Sequence, residues 1–168
     1  MIHIYHGDGK GKTTAAFGLV MRQLGYQHKV LVVQFLKDGD SGEMQFLKAH
    51  PQVDRMYEKM PKLFYFQLDK EGKTMVSNAQ HELFMKMRAC AHKYDCIILD
   101  ELLDAILLGM ISNEEVISFL TSLDMQEVVI TGRNPHSSLR EMADYITEMK
   151  MEKHPYQKQV AARKGIEY

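Results

Sequence analysis

The sequence predicts an α/β domain of three layers, a mostly parallel sheet flanked by helices. Three observations carry this. Short apolar runs alternate with helical patterns along the chain, the order that builds parallel sheets. Several of those runs are apolar at nearly every position, as in strands covered on both faces. A stretch dense in glycine, "HGDGKGKTT" at 6–14, separates the first run from the first helical pattern.

The elements follow in order. "IHIY", 2–5, alternates apolar and polar residues and reads as a short strand. Residues 12–24 read as a helix, with Ala16, Val20 and Leu24 on one face and Gly25 as its stop. "VLVVQF", 30–35, is a continuous β-branched run and reads as a buried strand. "KDGDSGE", 37–43, reads as a loop and Val53 to Tyr57 as a further strand. Residues 70–93 read as a long helix, with Val76, Ala79, Leu83, Met87 and Cys90 on one side. "CIILDE", 96–101, is a buried strand ending in two acids. Ser112 and Glu115 form a capping-box pattern ahead of Val116, Ile117 and Leu120. "EVVIT", 127–131, is another buried strand, followed by "GRNPHSS". No repeat or linker interrupts the chain, so residues 1–168 read as one domain, with the polar 157–168 as a mobile tail.

Composition narrows the function. The formal net charge of the 168 residues is −1, so general attraction to nucleic acid or anionic membrane is not indicated. No apolar run reaches the ~18 residues of a membrane span, and the start lacks a signal-peptide pattern. Cys90 and Cys96 have neither metal spacing nor a disulfide framework. A reduced cytoplasm fits. The 13 methionines read as adaptable core filler.

A strand, a glycine loop and a helix starting at Gly11-Lys12-Thr13 form a phosphate-binding loop. Its backbone N–H groups surround phosphate oxygens, and the helix start adds partial positive charge. Lys12 reaches the phosphates and Thr13 sets a hydroxyl on Mg2+. The strict pattern wants glycine five residues before Gly11; His6 stands there, and Gly7 comes one residue later. The second half of such a site is a carboxylate at a neighbouring strand end. Asp100 and Glu101 fit, holding Mg2+ (or Mn2+) directly or through water. The two motifs indicate a nucleoside triphosphate and a divalent cation, without saying what is done to the nucleotide.

Beyond these motifs, "GDGKGKTTAAFG", "VVQFLK", "ILDE", "VVITGR", "AD" with "TEM", "KH" and the terminal "GIEY" run in that order over almost the whole chain. Together they resemble the ATP:corrinoid adenosyltransferases of the cobalamin-pathway type. The resemblance implies a RecA-like P-loop NTPase fold, a homodimer and an electron-donating reductase as partner. It implies transfer of the 5′-deoxyadenosyl group of ATP to a cobalt(I) corrinoid, with release of triphosphate.

Carried over by position, it implies that His6, Gly7, Asp8, Gly9, Lys10, Gly11, Lys12, Thr13 and Thr14 hold the nucleotide. Thr13, Asp100 and Glu101 would bind the metal, and Lys12, Thr13 and Glu101 would act in catalysis. Gln34 and Lys37 would sit near nucleotide or corrinoid, and Gly132 and Arg133 would line the site. Phe64 and Phe66 fall where the family presses a Phe and a Trp on the corrinoid; in a strand they would point the same way. The chain departs from the family at Phe66, where Trp is usual, at Leu63, where Gly is usual, and in "NPHSS" after Arg133. Its first strand starts at Ile2, without the preceding segment that closes over the corrinoid in many members.

Several residues carry two readings. His6 is a phosphate or ribose contact, or a structural turn position. Arg133 is a phosphate clamp or a surface salt bridge. Phe64 and Phe66 bind corrinoid or fill the core. His136 reads as loop surface, and 86–94 as a solvated helix face. Two other functions fit the motifs. One is a P-loop ATPase in which Glu101 activates water. The other is a non-catalytic binder of ATP or corrinoid.

Overall fold

β-Branched runs that bury both faces need helices on each side, and the chain supplies them. The computed structural model describes residues 1–63 and 65–167; Phe64, Tyr168 and the Tyr156 side chain lie outside that description. Six strands, β1 (Ile2–His6), β2 (Val30–Gln34), β3 (Val53–Tyr57), β4 (Cys96–Asp100), β5 (Glu127–Gly132) and β6 (Tyr145–Glu148), form one sheet. Their order is β3-β2-β4-β5-β1-β6, and every neighbouring pair is parallel.

Six α-helices connect them: α1 (Lys12–Gly25), α2 (Gly42–Phe46), α3 (Lys70–Cys90), α4 (Leu102–Leu107), α5 (Asn113–Thr121) and α6 (Ser137–Met142). Alternation along each strand divides the core in two. Val30, Val32, Cys96, Ile98 and Val129 point to one face, where Ala16, Phe17 and Val20 of α1 and Met44 of α2 cover them. Leu31, Val33, Ile97, Leu99, Val128 and Ile130 point to the other, under α3, α4, α5 and α6. This is the three-layer α/β architecture expected of a RecA-like P-loop domain. Because all strands run one way, the segments following them collect at one end of the sheet, where ligands bind in such folds.

The structure adjusts several boundaries. The 37–43 loop gives way at Gly42 to α2, because the Ser41 hydroxyl accepts the Met44 N–H and starts a helix there. β2 stops at Gln34, and α3 stops at Cys90 before a 3-10 turn at Ala91–Lys93. β6 had no sequence signature: Tyr145–Glu148 is an exposed edge of four residues. It belongs to the sheet only through pairing with β1. Phe66 does not lie on a strand, so the shared orientation that a strand would give Phe64 and Phe66 does not apply. Tyr65–Gln67 is a 3-10 turn, and Phe64 lies outside the described residues. No helix among the described residues is long and apolar enough to cross a membrane.

The predicted capping box is formed at α5. Ser112 Oγ accepts the Glu115 N–H, and Glu115 accepts the Ser112 N–H in return. His81 also hydrogen-bonds the Glu115 carboxylate at 2.7 Å. That bond, then those from Ser112, hold the Glu115 carboxyl down at about 2. A lowered native pKa adds stability above the unfolded value of 4.5, and that stability is lost as pH falls toward 2. Ser112→Ala is expected to cost about 1 kcal/mol in urea unfolding at neutral pH. The melting-temperature gap between wild type and Glu115→Gln should narrow as pH falls from about 4.5 to about 2, the interval between the unfolded and native values.

Candidate active site

The glycine loop turns sharply between β1 and α1. Gly7 and Gly11 take φ of +115° and +110°, a region that L side chains rarely enter. The glycines meet both an angular need and a close approach, and part of that approach is internal. A Cβ on Gly7 would lie 2.4 Å from the Met149 carbonyl oxygen, and one on Gly9 2.6 Å from it. The Gly9 N–H donates to that same oxygen at 2.7 Å, and Met149 N–H donates to the His6 carbonyl at 2.7 Å. The Met151 N–H reaches the Asp8 carboxylate. The chain leaving β6 therefore braces one side of the loop.

At the start of α1 the N-cap is Gly11, with no side-chain cap and no acid in the first turn. α2, α3 and α5 instead carry Ser41, Asp69 and Ser112 as capping side chains. An uncapped 14-residue helix presents its first N–H groups and the positive end of its dipole to an anion. Lys12 opens this helix, and its Nζ donates to the Gly9 carbonyl at 2.9 Å. Lys10 instead turns outward, to the Ile166 carbonyl.

Across from the loop lies Asp100, the last residue of β4, fully buried. Its Oδ1 accepts from the Thr13 hydroxyl at 2.8 Å and the Thr131 hydroxyl at 2.7 Å. Its Oδ2 accepts from Gln34 Nε2 at 3.0 Å and Lys37 Nζ at 2.7 Å. These four donors match the lone-pair sites of an ionised carboxylate. Lys37 Nζ also donates to Thr13 Oγ1 at 3.0 Å and lies 3.5 Å from Glu101 Oε1. Burial opposes the charge on Lys37, but Asp100 and Glu101 outweigh it and raise its pKa.

Glu101 sits in left-handed backbone, φ 62°, a conformation costing a non-glycine residue about 1–3 kcal/mol. Its N–H donates to Thr131 Oγ1 at 2.9 Å. Burial pushes its carboxyl up to about 7, against the pull of Lys37 and with help from Asp104.

Thr13, Asp100 and Glu101 thus converge, and they fit a divalent cation. A single ammonium touches all three, marking a place suited to a positive charge. Among the described residues no group of three or more His, Cys, Asp or Glu could hold a metal by itself. That suits Mg2+, which binds one or two carboxylates and takes its remaining ligands from phosphate and water.

On the other side of the loop, a cavity of about 760 Å³ is lined by His6, Asp8, Arg133, Arg140, Glu148 and Lys150, among others. His6 is buried, and Arg140 donates to its Nε2 at 3.3 Å. Burial first, and Arg140 next, lower its pKa and favour the neutral ring. Arg133 is 61% exposed and binds Asp104 twice, through Nε at 2.9 Å and its backbone N–H at 3.1 Å. Gly132 is required beside that pair, because a Cβ there would lie 2.6 Å from Asp104 Oδ2. Phe66 is 75% exposed on its 3-10 turn, in the segment that follows β3 at the carboxyl end of the sheet. His136 caps α6, accepting the Ser138 N–H.

Sequence reasoning missed Thr131, Asp104, Arg140 and the 149–151 brace. Thr131 had a signal, as a polar residue near the end of an apolar strand, like Gln34 and Asp100. The others had none.

The whole chain, residues 1–168, matches the family model described as ATP:corrinoid adenosyltransferase BtuR/CobO/CobP. The chain belongs to this family. It is 34% identical over 172 residues to the corrinoid adenosyltransferase of Escherichia coli K12, covering 100% of this chain and 85% of that protein. It is 33% identical over 168 residues to the corrinoid adenosyltransferase of Pseudomonas aeruginosa, covering 98% and 82%. The corrinoid adenosyltransferase CobA of Salmonella typhimurium is 34% identical over 171 residues, covering 100% and 85%. Membership carries the activity for which the family is named, adenosyl transfer from ATP to a corrinoid. It favours neither ATP hydrolysis nor a purely binding role. In this adenosyltransferase the loop and the Asp100 network face each other across Thr13, which belongs to both.

Proposed function

We propose that residues 7–14 hold the triphosphate of ATP while the cobalt(I) of a corrinoid attacks its C5′. The observation that carries this reading is the uncapped start of α1, with Lys12 at its first position and Thr13 hydrogen-bonded to buried Asp100. Cobalt(I) supplies the electron pair of the new Co–C5′ bond. The C5′–O bond breaks, and its electrons leave with the triphosphate. No protein base is required. Lys12 and the N–H groups of the loop stabilise the charge growing on the leaving group. A divalent cation held by Thr13, Glu101 and Asp100 would neutralise part of the same charge. The buried Gln34 Oε1, without a hydrogen-bond partner among the described residues, is an acceptor available to a bound ligand's donor.

The groups named for the triphosphate and its cation lie within residues 6–14 and 100–133. ATP is therefore expected to bind without corrinoid and with dependence on Mg2+, as read by titration calorimetry. With a reduced corrinoid added, the phosphate product should be triphosphate. ADP plus phosphate would sink this reading in favour of hydrolysis, and absence of any product would favour a binder. The family resemblance further supports a cytoplasmic homodimer served by a reductase.

The resemblance also supports Phe66 as a corrinoid contact. An aromatic ring against the lower face would exclude the axial ligand that cobalt(II) carries and cobalt(I) does not, so reduction becomes easier. Phe66→Ala should then lose most activity with cobalt(II) corrinoid and a mild reductant. It should keep much of it with chemically pre-reduced cobalt(I). Equal losses in both assays would assign Phe66 a packing role only.

A further inference from the structure

The sequence assigns a divalent cation to Thr13, Asp100 and Glu101, yet all three groups already share one positive charge. Lys37 Nζ lies 3.0 Å from Thr13 Oγ1, 2.7 Å from Asp100 Oδ2 and 3.5 Å from Glu101 Oε1. We propose that Lys37 makes metal binding conditional on nucleotide: its ammonium and the metal compete for one place, and a triphosphate draws the ammonium away. This rests on the reading of those three residues as metal ligands.

The donor set says which contact can yield. Asp100 has every lone-pair site engaged, so a cation can reach it only by displacing a donor. Thr131 and Gln34 are fully buried and fixed on β5 and β2. Thr13 is set by the first turn of α1. Lys37 lies beyond the end of β2, is 31% exposed, and carries its charge on a flexible four-carbon stem. Thr13 Oγ1 repeats the pattern: its proton goes to Asp100 and it accepts from Lys37. An ammonium and a divalent cation repel in so confined a space. The triphosphate adds negative charge next to Thr13, giving the ammonium a new partner and the metal further oxygen ligands. A free cation then does not accumulate in the site, and metal and ATP enter together.

Mn2+ binding, read from the electron paramagnetic resonance signal of the free ion, tests this without turnover. Wild type, Lys37→Ala and Lys37→Gln are titrated without nucleotide. Lys37→Gln keeps an N–H donor for Asp100, and thermal melts establish that both variants are folded. Both are expected to bind one Mn2+ more tightly than wild type by about tenfold or more. Adding Glu101→Gln to Lys37→Gln should abolish that gain. A smaller gain in the single variants, or a gain that survives Glu101→Gln, overturns the proposal. A separate titration of wild type with ATP, with and without Mn2+, identifies which idea has failed. If ATP binding requires the cation but the variants show no gain, only the role of Lys37 falls. If ATP binds equally without the cation, the metal reading falls and takes this proposal with it.

Discussion

Lys12→Ala is expected to lower the rate of adenosyl transfer about a hundred- to a thousand-fold. The side chain opens α1 beside backbone N–H groups that no side chain caps, so under the proposed reading its charge adds to theirs at the departing triphosphate. The leaving group gains negative charge as C5′–O breaks, and a contact that strengthens in the transition state acts on kcat rather than on binding alone. The fold should barely notice. The ammonium's hydrogen bond is to the Gly9 carbonyl within the loop, and stability should change by less than about 0.5 kcal/mol. The measurement is single-turnover transfer with pre-reduced corrinoid at saturating ATP, alongside a urea melt. A near-wild-type rate would mean that the site is misplaced.

Asp100→Ala is expected to fail in both measurements. Removing the carboxylate deprives Thr13, Thr131, Gln34 and Lys37 of their common acceptor. Two of the four, Thr131 and Gln34, are fully buried. Breaking a buried charged pair by deleting one partner costs about 3–5 kcal/mol, and the partial exposure of Lys37 puts this case near 3. Urea unfolding reads the loss. Transfer should fall as well, because Thr13 loses the acceptor that orients its hydroxyl. Asp100→Asn retains an acceptor oxygen but replaces the other with a donor facing Gln34 Nε2 and Lys37, so its stability should lie between those of wild type and Asp100→Ala. An Asp100→Ala protein as stable as wild type would mean that the network does not hold the sheet end together.

The two variants divide what was legible from what was not. Lys12 stands inside a local pattern: strand, glycines, Gly-Lys-Thr, helix. Each part is dictated by neighbours within a few residues, and the glycine at 11 can be read directly as a backbone need. Asp100 was legible as a strand-end acid, but its partners were not. Gln34 and Lys37 were picked out only by resemblance, and Thr131 not at all, because parallel pairing of β2, β4 and β5 brings them together from 31 to 66 positions away. The readings at 64–66 illustrate the opposite case. Two aromatics two positions apart would share a face on a strand, but Tyr65–Gln67 closes into a 3-10 turn.

By itself the sequence determined the class of fold, the strands that bury both faces, the capping box at α5 and the glycine turn between β1 and α1. These follow from side-chain periodicity and from backbone angles that only certain residues tolerate, both local properties of the chain. Tertiary structure alone decided that β6 joins the sheet, since its four exposed residues have no apolar face to announce a strand. It alone set Met149 against Gly7 and Gly9, which gave those glycines a second reason to lack a Cβ. And it alone placed the Lys37 ammonium among the three groups suited to a metal, because charge complementarity acts through space and leaves no period in the sequence.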